Sequence, residues 1–344
     1  MRIALDATYS LGRNLSGVGV YSREILFGLT RAHQDTTFRF CYRPHHFLGS
    51  FGDSLPANAS RRLLRGAPRA DLFHALNQRV DVAGRRTVAT FHDLFVMSGD
   101  YSSPEFRARF TQQARQAAAY SNALIAVSEF TASQVEQLLG VNRARIHVIA
   151  HGVRVPPADA AVPRENLVLC TGAVQRRKNI ARLVKAFEQM PEGWSLALAG
   201  AADGYRAAEE LRAVEESPRK KDIQVLGYVS AHDLAALYRR ARIFAFPSLD
   251  EGFGMPVLEA MACGVPVLTS NRSGLPEVAG DAALLVNPDS AEEIGAALRR
   301  LAVDEDLRSR LERAGAARAR VYTWESAVER TWSVYQNLLP RYLV

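Results

Sequence analysis

Cysteine, tryptophan and methionine are scarce in this chain, whose 344 residues include three cysteines, three tryptophans and five methionines. Cys41, Cys170 and Cys263 each stand in an apolar run, and none is closely spaced with another. This pattern excludes a disulfide framework and favours buried thiols in a reducing compartment. No HExxH, CxxC or suitably placed Asp-x-Asp motif is present, so we predict no metal site.

Long apolar runs and blocks of like charge are also missing. No window approaches 18 apolar residues, and the opening MRIALDAT lacks a charged segment followed by a long apolar one. We therefore expect no membrane span, no signal peptide and a cytoplasmic protein.

The formal net charge of +7 comes mostly from arginines spread along the chain. A solvated surface explains this charge, and so does a mild preference for phosphate-bearing ligands or a membrane surface. No nucleic-acid-binding pattern is present, so we expect no nucleic-acid partner.

The length and the pattern of elements predict two α/β domains, because single cores stop growing at about 250–300 residues. Short apolar strands alternate with helical stretches on both sides of a proline-rich segment, residues 155–163, which we interpret as a linker. Such alternation favours a mostly parallel, doubly wound sheet in each domain. We assign residues 1–154 to an N-terminal domain and residues 164–323 to a C-terminal one. Residues 324–344 carry large apolar side chains and are expected to pack back on the first domain.

Candidate ligand-binding residues follow predicted strands in both halves of the chain. In open parallel sheets, ligands bind at the carboxyl ends of the strands. Two such domains facing each other would therefore leave a ligand-binding cleft between them. The candidate residues at strand ends are Gly17, His92, Gly172, Gly227 and Glu251.

The most informative stretch is residues 246–267, FPSLDEGFGMPVLEAMACGVPV, which places Glu251 and Glu259 eight positions apart. Carboxylates accept hydrogen bonds from the hydroxyls of a sugar or a ribose. Gly252 and Gly254 allow the backbone to approach a ligand closely. The alternative is a solvent-facing turn with two surface glutamates.

A helix is expected to begin just after these glycines, because Pro256 suits the first turn of a helix. The amide N–H groups of Met255, Val257 and Leu258 would then be free to bind a phosphate.

A second motif, residues 172–179 with the sequence GAVQRRKN, joins a strand to a helix. Arginine offers a planar fork for phosphate oxygens and lysine a point charge. Such residues would hold a diphosphate and stabilise it as a leaving group. An exposed basic turn is the alternative.

Two weaker signals lie in the N-terminal half. The segment Ser16–Gly19, SGVG, is as consistent with a tight turn before a helix as with a ligand-binding loop. His92 and Asp93 end a strand, where the histidine is either a ligand contact or a structural residue. Asp93 either orients His92 or serves as a turn residue.

Taken together, these motifs resemble the retaining GT-B-fold glycosyltransferases of family 4, the group 1 type, over nearly the full chain. The most specific match is the pair Glu251 and Glu259 within EGFGMPVLEAMACGVPV. The segments Arg176–Asn179 (RRKN) and Leu275–Pro288 (LPEVAGDAALLVNP) match as well. The resemblance implies a GT-B fold, with two Rossmann-like domains facing a central cleft and a C-terminal helix that crosses back to the N-terminal domain.

The resemblance also implies roles for individual residues. Lys178 and Arg177 would hold the diphosphate of a nucleotide-sugar donor, and Glu259 its ribose. Glu251 would hold the hydroxyls of the donor sugar, together with the backbone of Phe253, Gly254 and Met255.

Three further roles follow from the same resemblance. Gly17 would let its loop close over the diphosphate, and His92 would contact the donor sugar near the reacting carbon. Val229, in the loop of residues 227–230, would contact the base. Ala173 departs from the family, because many members carry an arginine there. Either Arg177 supplies this charge or the diphosphate is held less tightly.

The family's chemistry is thought to retain anomeric configuration by front-face attack, with the departing phosphate taking the acceptor proton. That implies no metal and no cofactor besides the nucleotide-sugar. The EGFGMP and HDL motifs resemble those of bacterial mannosyl- and rhamnosyltransferases of surface-polysaccharide assembly. GDP-mannose is the donor that we predict first, and UDP-glucose and dTDP-rhamnose are the alternatives.

A saccharide or lipid-linked acceptor is expected on the N-terminal domain, whose segment of residues 42–69 is arginine-rich and is predicted to be irregular. Peripheral contact with the inner face of a membrane would suit these arginines. A non-catalytic sugar-nucleotide-binding subunit is the alternative from another class of protein. A related epimerase or phosphorylase is disfavoured by the intact glutamate pair.

Overall fold

The structure is a computed structural model that describes residues 1–12, 14–155 and 162–340. Most of the predicted linker, residues 156–161, and the last four residues of the chain lie outside the described residues. Contacts divide the chain into two units. Unit 1 comprises Met1–Ser98, Pro104–Gly152 and Tyr322–Val344, and unit 2 comprises Gly99–Ser103 and Val153–Val321. This division differs from the prediction in assigning Gly99–Ser103 to the second unit.

Strands and helices alternate through most of the chain. The strands are β1 (Arg2–Asp6), β2 (Thr37–Tyr42), β3 (Ala59–Leu63), β4 (Leu72–Ala75), β5 (Thr87–Phe91), β6 (Ala123–Ala126), β7 (Ile146–Val148), β8 (Glu165–Thr171), β9 (Ser195–Ala199), β10 (Ile223–Gly227), β11 (Ala241–Phe246), β12 (Val267–Ser270) and β13 (Ala283–Val286). The helices are α1 (Gly17–Ala32), α2 (Pro44–Phe47), α3 (Phe95–Ser98), α4 (Pro104–Tyr120), α5 (Glu129–Leu139), α6 (Ile180–Phe187), α7 (Ala207–Glu216), α8 (Ala231–Arg240), α9 (Met255–Ala262), α10 (Leu275–Ala279), α11 (Ala291–Val303), α12 (Glu305–Val321) and α13 (Trp324–Leu338).

Each unit is built on one parallel sheet. The strand order is β3-β2-β1-β4-β5-β6-β7 in unit 1 and β10-β9-β8-β11-β12-β13 in unit 2. In both sheets the order reverses beside the first strand of the unit, which is the doubly wound arrangement. The predicted fold class, two Rossmann-like α/β domains, is confirmed. The reversal in unit 2 lies between β8 and β11, where ligands bind in open α/β sheets.

Local sequence explains why helices start where they do. Ser16 Oγ accepts a hydrogen bond from Gly19 N at 3.3 Å and caps α1. Ser128 Oγ accepts a hydrogen bond from Thr131 N at 3.0 Å and caps α5. Such caps satisfy amides that the first turn leaves unpaired and contribute about 1 kcal/mol each.

The central strands carry the core of each unit. In unit 1, Leu5, Phe40 and Phe91 are fully buried, and in unit 2 Leu196 and Phe244 are too. Burying one such side chain contributes about 1.5–3 kcal/mol. Both faces of these strands are covered, which explains why they are continuous apolar runs rather than alternating ones.

The C-terminal helix α13 packs on unit 1, as predicted. An added Cβ on Gly28 of α1 would lie 2.4 Å from Val328 Cγ2, so the two helices approach closely there. The Tyr335 hydroxyl lies 2.5 Å from His74 Nδ1, and His74 Nε2 lies 2.8 Å from Thr90 Oγ1. A buried polar network therefore ties α13 to strands β4 and β5.

Sequence reasoning was wrong in several places. Residues 42–69 were predicted to be irregular, but they include α2 and the edge strand β3. The sequence of β3, ASRRL, has no apolar run because its residues are half-buried or exposed. Strand β13, of four residues, and helix α10, of five, were also not predicted. Cys41 and Cys170 are buried as predicted, whereas Cys263 is only partly buried.

None of the described helices is both long enough and apolar enough to cross a bilayer.

Candidate active site

The loop after β8 is shaped by two residues with left-handed backbone. Gly172 has φ +110°, and an added Cβ there would lie 3.1 Å from Lys178 Cε. Asn179 has φ 62°, and its side-chain amide donates to the carbonyls of Pro247 at 3.0 Å and Pro288 at 2.7 Å. Asn179 therefore holds the loop against the segments that follow β11 and β13. It is also the N-cap residue of α6, but its side chain makes no capping hydrogen bond to that helix.

This loop brings Arg177 and Lys178 onto Glu251, which follows β11. Arg177 NH1 lies 2.6 Å from Glu251 Oε2, and Lys178 Nζ lies 2.6 Å from Glu251 Oε1. The three side chains are only 8%, 9% and 13% exposed in that order. The cluster lies at the reversal of the unit 2 sheet. The alternative of two surface glutamates in a solvent-facing turn does not describe Glu251.

Further contacts hold both cations in place. Arg177 NH1 also donates to the Asp250 carbonyl at 2.6 Å, and Leu249 N donates to the Arg177 carbonyl at 2.8 Å. Lys178 Nζ lies 4.2 Å from the centroid of the Phe246 ring, a cation–π contact. The cluster has one positive charge more than it has negative charges, so it suits an anionic ligand.

The pKa values follow from burial and charge. Burial acts to raise the pKa of Glu251, but the charges and hydrogen bonds of Arg177 and Lys178 outweigh it and lower that pKa to about 2. Burial lowers the pKa of Lys178, against the effect of the Glu251 charge. Glu251 is therefore ionised at neutral pH and is poorly suited to act as a proton donor or acceptor.

The turn that carries Glu251 is compact. Glu251 N donates to Ser273 Oγ at 3.0 Å, and an added Cβ on Gly274 would lie 2.5 Å from the Gly252 carbonyl oxygen. Gly254, with φ +109°, precedes the first helical residue Met255 of α9. Phe253, which precedes Gly254, is 5% exposed.

One predicted phosphate contact in this turn is wrong. The N–H of Val257 was expected to be free, but it donates to the Gly254 carbonyl at 3.0 Å. The left-handed turn at Gly254 directs that carbonyl onto the amide.

Glu259 lies one turn into α9. Its Oε2 accepts a hydrogen bond from the Tyr238 hydroxyl at 3.0 Å, and the same hydroxyl lies 3.4 Å from Thr171 Oγ1. Burial raises the pKa of Glu259, and the Tyr238 hydrogen bond opposes this change. No role was predicted for Tyr238, because no local pattern in the sequence indicates that α8 contacts Glu259 on α9.

Val229 lies in the loop between β10 and α8 and is partly buried. Gly227 at the end of β10 has φ 64°, and Ser230 caps α8 by accepting from Asp233 N at 3.1 Å. The loop is thus fixed at both ends. Its contact with a base stays a prediction.

In unit 1, Gly17 is the exposed first residue of α1. Two positions later, Gly19 has a packing reason to be glycine, because an added Cβ would lie 2.9 Å from the Tyr9 carbonyl oxygen. The role of Gly17 in loop closure stays a prediction.

His92 follows β5 and is 7% exposed. Its Nε2 lies 2.9 Å from the Leu76 carbonyl oxygen and its Nδ1 lies 3.4 Å from His151 Nε2. A carbonyl only accepts, so Nε2 carries the proton and the ring is held by partners other than Asp93. Burial lowers the pKa of His92 to about 4, against the effect of the Leu76 carbonyl. His92 is thus neutral at pH 7, and its contact with a donor sugar stays a prediction.

Within residues 1–12, 14–155 and 162–340, no group of three or more His, Cys, Asp or Glu side chains could hold a metal ion.

Two family models together match most of the chain. The model of Glycosyltransferase Family 4 matches residues 9–155, and the model of Glycosyl transferases group 1 matches residues 156–318. The chain belongs to the group 1 glycosyltransferases of family 4. It is therefore a glycosyltransferase, and the family identified from the sequence is confirmed.

Curated relatives include bacterial mannosyltransferases. The O-antigen chain mannosyltransferase B of Escherichia coli is 32% identical over 283 residues, which cover 78% of this chain and 74% of the relative. The serotype-specific mannosyltransferase WbdA of Escherichia coli is 26% identical over 275 residues, and the match covers 74% of this chain but only 34% of WbdA. A D-inositol 3-phosphate glycosyltransferase of Xylanimonas cellulosilytica is 32% identical over 276 residues, covering 74% of this chain and 66% of the relative.

Solved structures share the fold across nearly the whole chain. Sucrose-phosphate synthase from Thermosynechococcus elongatus has a TM-score of 0.79 at 21% identity, covering 98% of this chain and 99% of the other. Anabaena HepE, solved in complex with UDP and glucose, has a TM-score of 0.74 at 16% identity, covering 98% and 100%. The match with these structures confirms the GT-B fold.

Proposed function

We propose that this glycosyltransferase moves a hexose from a nucleotide-diphosphate sugar to a saccharide or lipid-linked saccharide acceptor, with retention of configuration, in cell-surface glycan synthesis. The observation that carries the proposal is the buried cluster of Arg177, Lys178 and Glu251, with Glu259 one helix turn into α9. GDP-mannose is the proposed donor, and the mannosyltransferase names of two relatives support it.

Each residue of the cluster has a distinct task in the proposal. Arg177 and Lys178 bind the donor diphosphate and stabilise the charge that develops on it as it leaves. Glu251 accepts hydrogen bonds from the sugar hydroxyls, and the backbone of Phe253–Met255 contacts the same sugar. Glu259 accepts from the ribose hydroxyls, because a carboxylate can accept from two neighbouring hydroxyls at once.

The proposed chemistry needs no metal and no protein base. The two cations supply the positive charge that a metal supplies in other transferases. The low pKa values of Glu251 and His92 make both groups weak bases, which leaves the acceptor proton to the departing phosphate. Positioning and charge stabilisation then account for the rate acceleration.

The acceptor side of the proposal includes peripheral contact with the inner face of a membrane. Leu48 and Phe51, which follow α2, are 82% and 62% exposed. The Arg61 guanidinium lies 5.1 Å from the centroid of the Phe51 ring, and the neighbouring Arg62 is exposed. Apolar side chains beside arginines suit an anionic bilayer. Sedimentation with anionic vesicles should be lost in Leu48→Ser and at high salt, whereas binding unaffected by both would contradict the contact.

A transfer assay tests the proposal directly. The purified protein is incubated with an oligosaccharide acceptor and with GDP-mannose, UDP-glucose or dTDP-rhamnose, with and without EDTA. We expect transfer from GDP-mannose that EDTA does not abolish and a product whose anomeric configuration, read by NMR, matches that of the donor. Transfer from another donor would replace the proposed donor. Inversion would contradict the mechanism, and loss with EDTA would contradict metal independence.

A further inference from the structure

A cavity of about 150 Å³ opens at the carboxyl edge of the unit 1 sheet. Its walls come from the segments that follow β2, β3 and β4. The residues that matter for its chemistry are Arg43, Leu64, Arg65, Phe73, Arg79 and Asp81. Carboxyl edges of parallel sheets are where ligands bind in this class of fold.

In the buried part of the cavity, the positive charge of Arg43 is balanced by neighbouring carboxylates. Arg43 NH1 lies 3.0 Å from Asp6 Oδ2, and these side chains are 5% and 1% exposed. Arg43 also binds Asp81 Oδ2 through Nε at 3.1 Å and the Arg79 carbonyl through NH2 at 3.3 Å. Arg43, which follows β2, thus links β1 to the segment after β4, and its charge is neutralised.

The open part of the cavity has positive charge left over. Arg79 Nε lies 2.9 Å from Asp81 Oδ1, and the Arg79 side chain remains 37% exposed. In the described part of the chain, no hydrogen bond or ion pair of the Arg65 side chain occurs. The cavity is thus lined by three arginines, of which Arg43 pairs with Asp6 and Asp81, and Arg79 pairs with Asp81. The third, Arg65, is exposed and supplies the excess positive charge.

The exposed guanidinium groups in the open part of the cavity suit a phosphate ligand. A guanidinium group binds two phosphate oxygens at once through paired, charge-assisted hydrogen bonds. A neutral sugar hydroxyl offers only one oxygen and no charge, so it binds a guanidinium less strongly. The apolar side chains of Leu64 and Phe73 form walls of the same cavity and lower the competition from water. Gly66, at the same opening, leaves room, because an added Cβ there meets no atom within 4 Å.

We propose that this cavity binds the phosphate of a phosphate-bearing saccharide, with its oxygens between Arg65 and Arg79. Resting on the proposed function, we assign this saccharide as the acceptor. The phosphate belongs either to a soluble sugar phosphate or to the headgroup of a lipid-linked saccharide, since both present the same group. Arg65 and Arg79 are binding residues here, and Arg43 positions them.

A binding experiment tests the cavity independently of catalysis. Inorganic pyrophosphate is titrated by calorimetry into Lys178→Ala, in which the donor site is disabled, and into the same variant with Arg65→Ala or Gly66→Asp added. The matched controls add Arg62→Ala, an exposed arginine of β3, or Gly49→Asp, where an added Cβ also meets no atom within 4 Å. We expect affinity to fall about tenfold or more with the cavity variants and to be unchanged with the controls. Equal affinity in all five proteins, or no binding in Lys178→Ala, would overturn the proposal.

A kinetic experiment tests the assignment as acceptor site. In otherwise wild-type protein, Arg65→Ala should raise the KM for a phosphate-bearing acceptor about tenfold, with kcat and the donor KM unchanged. The KM for the same acceptor after phosphatase treatment should not respond to the variant. A water-soluble sugar phosphate and a lipid-linked saccharide in detergent are compared to identify the source of the phosphate.

The outcomes separate this inference from the proposed function. If the wild-type protein transfers no sugar but pyrophosphate binding responds to Arg65 and Gly66, the proposed function fails and the anion site stands. If transfer occurs but Arg65→Ala changes neither the affinity for pyrophosphate nor the acceptor KM, the cavity is not the acceptor site.

Discussion

Lys178 Nζ lies 2.6 Å from Glu251 Oε1, although the two residues are 73 positions apart in the sequence. The contact joins the loop after β8 to the turn after β11, at the point where the strand order of unit 2 reverses. With Arg177 on the other carboxylate oxygen, Glu251 is a buried, ionised group held between two cations. This arrangement suits a residue that holds a ligand, and it does not suit an acid/base catalyst.

Replacement of Glu251 should affect stability as well as activity. Glu251→Ala leaves Arg177 and Lys178 buried without a counter-ion, so we expect the free energy of unfolding to fall by about 3–5 kcal/mol. Glu251→Gln keeps the shape and one acceptor oxygen, so its loss should be smaller, while transfer is still abolished. Urea unfolding followed by circular dichroism measures the first effect. Glu209→Gln, on an exposed glutamate of α7, is the matched control, and an unchanged unfolding free energy in Glu251→Ala would contradict the buried cluster.

The same cluster predicts a dependence of stability on acid pH. The folded pKa of Glu251, about 2, is below the value of about 4.3 for an unfolded glutamate. Its contribution to stability is therefore complete above the unfolded pKa and is lost as pH falls from about 4.3 to 2. The free energy of unfolding should decline less steeply in Glu251→Gln than in the wild type across this range. Parallel curves would show that folding does not lower the pKa of Glu251.

Tyr238 should tune the binding of the donor. Tyr238→Phe removes the hydroxyl that donates to Glu259 and leaves the carboxylate buried with one partner fewer. A typical hydrogen bond contributes about 1 kcal/mol, so the donor KM should rise about fivefold while kcat changes little. Tyr228→Phe, on an exposed tyrosine next to Val229, is the control and should leave donor KM unchanged. If kcat fell and donor KM did not rise, Glu259 would not be a donor-binding residue.

Buried histidines should make unit 1 sensitive to mild acid. Burial lowers the pKa of His74 to about 3 and of His92 to about 4, and it lowers that of His151 as well. Each histidine binds a proton more readily when unfolded, at a pKa of about 6.5. The stability that these histidines contribute is therefore complete above about pH 6.5 and is lost as pH falls towards the folded values, by about 2 kcal/mol each for His74 and His92 at pH 5. Urea unfolding at pH 7.5 and pH 5 should show a smaller difference in His74→Gln than in wild type, and an equal difference would contradict the neutral state of His74.

The docking of the C-terminal helix can be tested at one contact. Gly28→Ala places a methyl group 2.4 Å from Val328 Cγ2, so α1 and α13 must separate, and stability should fall by about 1–3 kcal/mol. Adding Val328→Ala removes the clashing methyl and should restore part of the loss. Gly49→Ala, in open space, is the control. If the two losses simply added, α13 would not pack on α1 at this position.

Features carried by local sequence were predictable. The alternation of strands and helices predicted both sheets, and the glutamates spaced eight apart in EGFGMPVLE indicated the family. Proline and glycine in the turn before α9 also indicated where that helix begins, because both act on the backbone directly.

Features that depend on neighbours distant in sequence were not predictable. The sequence of β3 contains arginines rather than an apolar run, and only its pairing with β2 shows that it is a strand. The contact between Tyr238 and Glu259 joins two helices, and no local pattern indicated it. The amide of Val257 was expected to be free because its acceptor, the Gly254 carbonyl, depends on a left-handed turn whose φ the sequence does not specify.

The central claim is that Arg177, Lys178, Glu251 and Glu259 hold a nucleotide-diphosphate sugar, and a thermal-shift screen tests it most directly. GDP-mannose, UDP-glucose, dTDP-rhamnose and an ADP-sugar are each added to the wild type, to Lys178→Ala and to Lys185→Ala, whose lysine side chain is 70% exposed on α6. A ligand at 100 times its Kd stabilises the folded state by about 2.7 kcal/mol, which a melting curve resolves. We predict that GDP-mannose raises the Tm of the wild type and of Lys185→Ala, and that this shift disappears in Lys178→Ala. No shift with any of the four sugars, or an equal shift in Lys178→Ala, would contradict the claim.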